Sequence, residues 1–123
     1  MAKFTIKKIE AVEILTSKKS PTLQVNLLTD FGSFAASVPS GTSKGKDEAV
    51  EKPIKSALNS VNRIIAPKMQ GKEISSQKEA DDFLIKLDGT KRKSRLGGNA
   101  LLGVSVALCR AGAARTPLWK EKS

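Results

Sequence analysis

Residues 4–38 read FTIKKIEAVEILTSKKSPTLQVNLLTDFGSFAASV. From Phe4 to Leu15, and again from Thr22 to Leu28, apolar and β-branched residues alternate loosely with polar ones, the period that puts one face of a strand against a core. Ser17-Lys18-Lys19-Ser20-Pro21 lies between the two runs and has the composition of a turn. Asp30-Phe31-Gly32 marks a second tight turn, leading into Ser33–Val38. The stretch therefore predicts a three-stranded antiparallel meander, and it sets the class of everything that follows.

Downstream, the period changes to that of a helix. Ile54, Ala57, Leu58, Val61, Ile64 and Ile65 recur at helical spacing, with Pro53 expected at the first helical position and Pro67 expected to end the element. Ser75 or Ser76 is suited to cap a second helix running through Phe83, Leu84 and Leu87 and stopping at Asp88-Gly89. A third begins near Gly98-Asn99. Because Ala100, Leu101, Leu102, Val104, Val106, Ala107, Leu108 and Ala111 leave it apolar almost all round, it is expected to be buried. The fold class is α+β: a three-stranded meander followed by about three α-helices packed on one face. One domain over residues 1–115 and a short tail over 116–123 account for the length.

Composition narrows the chemistry. With 123 residues, 39% of them hydrophobic, the chain has enough apolar side chain for one modest core. It contains a single cysteine, Cys109, and no histidine, which excludes an internal disulfide, a Cys/His metal site and a histidine-assisted nucleophile. The early apolar runs are broken by Lys7, Lys8, Glu10 and Glu13, unlike a secretory leader, and a reduced cytoplasmic setting is expected. The charge is lopsided, 22 Lys+Arg against 12 Asp+Glu for a net +10, which favours polyanionic partners. Lys18, Lys19, Lys44, Lys46, Lys91, Arg92, Lys93 and Arg95 are the candidate phosphate contacts to RNA or a ribonucleoprotein surface. No one of these groups is distinguishable from an ordinary solvated loop.

Between the meander and the first helix lies VPSGTSKGKDEA, residues 38–49, a hydroxyl-rich loop with two glycines. Together with SPT (20–22), NSVNRIIAP (59–67), DDFLIKLDGT (81–90), KSRLGGNALLGVSVALCRAGAA (93–114) and PLW (117–119), in that order, it resembles the amino-terminal domain of enolase, phosphopyruvate hydratase. The resemblance implies the same meander-then-helices fold. It implies that Ser40, Gly41, Thr42 and Ser43 belong to a mobile lid over an active site, and that Ser43 supplies an oxygen ligand to the second Mg2+ when the lid closes. In enolases the other catalytic groups, a lysine base, an acidic glutamate and the remaining magnesium ligands, belong to a carboxy-terminal barrel. A chain reaching Ser123 extends about to the linker before that barrel, so it is expected to be non-catalytic alone, either capping a separate barrel chain or acting as a pseudo-enolase.

Departures from the family pattern are local. Thr16-Ser17-Lys18-Lys19-Ser20-Pro21-Thr22 stands where enolases usually have Asp-Ser-Arg-Gly-Asn-Pro-Thr, which puts Lys19 at a glycine position whose left-handed backbone would cost it roughly 1 kcal/mol. Val12 and Gln24 replace an arginine and a glutamate that usually form ion pairs with the partner subunit's barrel. Lys44 replaces a common threonine, and between Glu51 and Lys52 the chain is shorter than the pattern by roughly three helical turns.

Overall fold

The computed structural model describes residues 3–15, 19, 21–38, 53–89 and 96–115. Strands β1 (Phe4–Leu15), β2 (Pro21–Thr29) and β3 (Ser33–Val38) form the antiparallel meander. Alternation decides which face is inward: Ile9, Ala11, Leu23, Val25, Leu27, Ala36 and Val38 are buried on one side. Lys8, Glu10, Gln24, Asn26, Ser33, Ala35 and Ser37 lie on the other, in registered rows Lys8–Leu28–Ser33, Glu10–Asn26–Ala35 and Val12–Gln24–Ser37. A register shift between Ile6 and Lys8 keeps both Phe4/Ile6 and Ile9/Ala11 inward despite the odd spacing.

A fourth strand, β4 (Glu73–Ile74), pairs with Phe4 and Thr5 and gives the order β3-β2-β1-β4. The meander is thus a three-stranded core of a four-stranded sheet. Two residues carry no detectable period, and the pairing depends instead on the Gln70–Lys72 turn. Gly71 N–H donates to the Ile6 carbonyl at 2.8 Å, and Ile6 N–H to the Lys72 carbonyl at 2.9 Å.

The first helical run is longer than the sequence suggested. Helix α1 (Ile54–Asn59) continues through a π-helical segment, Ser60–Ile65, into α2 (Ala66–Met69) without leaving helical dihedrals. Pro67 does not end it. A proline ring in a regular helix clashes with the carbonyl four residues back; here Ala66 N–H reaches the Val61 carbonyl, five residues back, and the widened turn gives the ring room. Pro53 precedes the first helical residue, with ψ 152, one position earlier than expected.

Helix α3 (Gln77–Asp88) follows its sequence signals closely. Ser76 Oγ accepts from Glu79 N–H at 3.1 Å, and Gly89 ends the helix with φ 74. Glu79 Oε1 in turn accepts from Ser75 N–H at 2.9 Å, and these hydrogen bonds, from backbone first and hydroxyl second, hold its carboxyl below the usual glutamate range. Helix α4 (Gly98–Arg115) lies across the sheet. Its inward face carries Ala100, Leu101, Val104, Ala107, Leu108 and Ala111. The expectation that it is buried all round does not hold: Leu102 is 51% exposed, and Cys109 and Arg110 are exposed. Apolar composition alone does not distinguish a two-sided contact from a one-sided one.

Gly103 is the closest approach of α4 to the sheet. A Cβ at this position would lie 2.8 Å from Val25 Cγ2 and 3.1 Å from Val38 Cγ2. On the far side of α4, Ser105 Oγ donates to Asp81 Oδ1 at 2.6 Å and Gln77 Nε2 to the same oxygen at 3.0 Å, tying α3 to α4. No helix among the described residues is long and apolar enough to cross a membrane.

Candidate functional site

Three rigid frames surround the segments that sequence reasoning singled out. The first is the end of the sheet where Leu15 faces Pro21 and Leu23 faces Val38. Thr22 Oγ1, on a residue only 2% exposed, donates to the Val38 carbonyl and locks the start of β2 to the end of β3. Leu15, Pro21 and Val38 therefore lie at the same end of the sheet. Their neighbourhood follows from antiparallel topology alone.

The second frame is the start of α1, where the chain returns at Pro53. Ala57, Val61 and Ile65 anchor this helical run in the core. Asn62 fastens it to the sheet: Ala11 N–H donates to Asn62 Oδ1 at 2.8 Å and Asn62 Nδ2 donates to the Ala11 carbonyl at 3.0 Å. The side-chain amide thus occupies the place of a neighbouring peptide at an edge where β4 extends no further than Phe4 and Thr5. Sequence reasoning missed this clamp; the only signal was an asparagine inside an otherwise apolar helical pattern.

The third frame closes the base of the segment between α3 and α4. Asp88, 1% exposed, accepts from Leu96 N–H at 2.7 Å. A buried carboxyl hydrogen-bonded to backbone holds together the residues that flank positions 90–95.

Of the candidate site residues, Lys19 is described. It is exposed and has φ 62, the left-handed conformation anticipated for it, and it is the one non-glycine residue with positive φ among the described residues. Ser40, Gly41, Thr42 and Ser43 of the expected lid, and Lys18, Lys44, Lys46, Lys91, Arg92, Lys93 and Arg95, lie outside the described residues. Val12 and Gln24 face each other across the β1–β2 ladder on the outer sheet surface, half-buried, so two changes from the family pattern meet at one spot. Among the described residues no group of three or more His, Cys, Asp or Glu side chains is placed to hold a metal ion.

The described meander is followed in sequence by the hydroxyl-rich segment 39–49 and by α3 and α4, which carry the LDGT and GNALLGVS signals, and comparison with known families agrees with that order. The family model described as enolase, N-terminal domain, matches residues 6–120. The chain belongs to the enolase N-terminal domain family. It is 44% identical to enolase 1 of Entamoeba histolytica over 94% of this chain, and 43% identical to the enolase of Mastigamoeba balamuthi over 89%. Enolase B of Dictyostelium discoideum is 44% identical over 94%. The chain spans 30%, 28% and 29% of those relatives, respectively. The sheet and helices of the described residues are consistent with that family's α+β fold.

Proposed function

We propose that this chain acts as the cap of a phosphopyruvate hydratase, lending its lid loop and the Ser43 hydroxyl to an active site whose remaining groups come from an enolase barrel. The observation that carries this reading is the loop's double anchorage. Thr22 fixes Val38 at one end, and the Asn62 clamp with the buried Ala57 and Val61 fixes the helix that starts after Pro53 at the other. Lid hinges are a few loop or element-terminal residues, and here the elements flanking the segment are held in the core.

Magnesium demands several hard oxygen ligands in near-octahedral geometry, and a single hydroxyl supplies one. In this reading the barrel holds the ion through its carboxylates and Ser43 completes the shell on closure. When bound, the metal supplies charge stabilisation for a carboxylate-adjacent carbanion. The cap's own work is to exclude water and place one oxygen.

The test is reconstitution. The chain is mixed, in the presence of Mg2+, with the barrel portion of one of its relatives, and phosphopyruvate formation is followed by absorbance. Activity that needs both pieces and falls at least tenfold with Ser43→Ala supports the reading. Absence of activity, with recovery of nuclease-sensitive RNA on the wild-type chain from cell extract, replaces it with the polyanion-binding alternative that the net charge of +10 suggests.

A further inference from the structure

Helix α4 carries a second apolar row besides its inward one. Leu102, Val106, Cys109 and Ala113 recur at steps of four, three and four residues, which sets them along one stripe of the helix. Leu102 is 51% exposed, Cys109 is exposed, and Val106 and Ala113 are half-buried. The stripe holds no charged residue, in a chain of which 28% is charged. Helix α3 walls it on one side. The two helices run antiparallel, since Asp81 meets Ser105 and Asp88 meets Leu96. Ile85, one turn on from Asp81, is 48% exposed on that wall.

Within reach of this row is the chain's own continuation. Helix α4 ends at Arg115, and Thr116-Pro117-Leu118-Trp119-Lys120-Glu121-Lys122-Ser123, outside the described residues, follows it. Pro117 biases Thr116 away from helical dihedrals, so the sequence favours a change of direction here. Extended backbone advances about 3.3 Å per residue and a helix about 1.5 Å. Four residues beyond Arg115, Trp119 reaches back about 13 Å, against about 9 Å to the level of Cys109 and about 14 Å to that of Val106. Alternation along an extended segment puts Pro117 and Trp119 on one side and Leu118 and Lys120 on the other. The tryptophan is therefore the one large apolar side chain that can face the row, and the small Cys109 and Ala113 leave a shallow bed suited to a flat ring. A second copy of the chain fits less well. Paired antiparallel along the row with Val106 opposite Cys109, it would set Arg110 against Ser105 and add no ion pair.

We infer that the segment after α4 folds back over this row and seats the Trp119 indole on Cys109 and Val106. The contact takes a broad aromatic ring and the exposed apolar stripe out of water together. Beyond Trp119 the segment is charged, Lys120-Glu121-Lys122, so the contact ends at the indole and those side chains keep their hydration. The seat is a strap on the helical side of the domain, away from the sheet. It goes beyond the cap reading, since it requires neither the lid nor a barrel.

The experiment uses the whole chain, whose one tryptophan and one cysteine report on each other. Expected for the unmodified protein are a blue-shifted tryptophan emission and acrylamide quenching well below that of the free peptide TPLWKEKS. A thiol quenches indole fluorescence on contact, so Cys109→Ser should brighten the folded chain more than the urea-unfolded one. In the reverse direction, Trp119→Ala should raise the rate at which an aromatic disulfide reagent titrates the Cys109 thiol by about threefold or more. Trp119→Phe, which keeps a ring, should restore most of the protection, and far-ultraviolet circular dichroism checks that each variant keeps the parent's helix content. Four results overturn the inference: peptide-like quenching of Trp119, no brightening of folded Cys109→Ser, an unchanged thiol rate in Trp119→Ala, or a shielding that disappears on dilution, which gives the row to a second copy.

Discussion

Replacing Gly103 with alanine sets two effects of similar size against each other. Alanine is favoured over glycine in a helix interior by about 1 kcal/mol. Its methyl, however, would be placed 2.8 Å from Val25 Cγ2, 3.1 Å from Val38 Cγ2 and 3.7 Å from Leu23 Cδ2. Carbon atoms rest about 3.5 to 4.0 Å apart, so α4 must lift by several tenths of an ångström or the valines must leave their rotamers. Their branched Cβ atoms make the second route costly. Both valines are buried, at 0% and 5% exposure. Overpacking of this kind costs about 1 to 3 kcal/mol. The net expectation for Gly103→Ala is destabilisation of about 1 kcal/mol or more, a clear shift in the urea midpoint followed by far-ultraviolet circular dichroism. The assignment to Val25 is tested by a cycle: Val25→Ala alone should cost about 2 kcal/mol from lost burial and packing, and the double variant should be less destabilised than the sum by about 1 kcal/mol. A Gly103→Ala protein more stable than the parent, or a strictly additive cycle, would refute the close-packing argument.

Other substitutions probe the remaining features. Lys19→Gly relieves a left-handed backbone and is expected to raise stability by about 0.5 to 1 kcal/mol, read as a rise in Tm, whereas Lys19→Val should lower it. Asn62→Ala leaves a backbone N–H and a carbonyl of Ala11 without their partners and should cost about 1 to 3 kcal/mol, with Asn62→Asp, which keeps the acceptor, falling between. The carboxylate of Glu79 is favoured in the folded state, so the unfolded chain binds its proton first. The contribution is full above the ordinary glutamate range and is lost as pH falls through the lowered folded value. Glu79→Gln should therefore lower stability slightly at neutral pH, flatten the acid limb of the stability–pH curve and converge with the parent at low pH.

Much of this architecture was legible in the sequence because its signals were local. The Ser75-or-Ser76 cap and the Asp88-Gly89 stop each sit within a few residues of the helix end they control, and their chemistry admits few other uses; the reciprocal role of Glu79 went unread. The first three strands announced themselves through alternation, even though the Ile6–Lys8 shift disturbs the pattern. What escaped reading was non-local. The Pro67 stop was overridden by a widened helical turn, which has no composition of its own. The Glu73–Ile74 strand is too short to show a period, and its partner lies near the start of the chain. The outer face of α4 looked buried because leucine, valine and alanine were counted without knowing that only one sheet lay beneath them. For the candidate site, Lys19 could be placed in advance because the family pattern has glycine there. The frames themselves, Thr22 with Val38, Asn62 with Ala11 and Asp88 with Leu96, depend on tertiary contacts between residues 16, 51 and 8 positions apart.

The pairing of Phe4 with Ile74 has a further consequence, for the time course of folding. The hairpins joining β1, β2 and β3 close short loops and can form as soon as they are made. The β1–β4 pairing joins the start of the chain to a point beyond the whole α1–α2 run, so a long loop must be closed before any bond is gained. A nascent chain lacking β4 would hold its first strand unsealed near Phe4 and Ile6, with two of the most deeply buried side chains of the finished core still in water. In order of synthesis the β1–β4 clasp thus follows the early meander, and the core is covered only once α4 has in turn packed on β2 and β3.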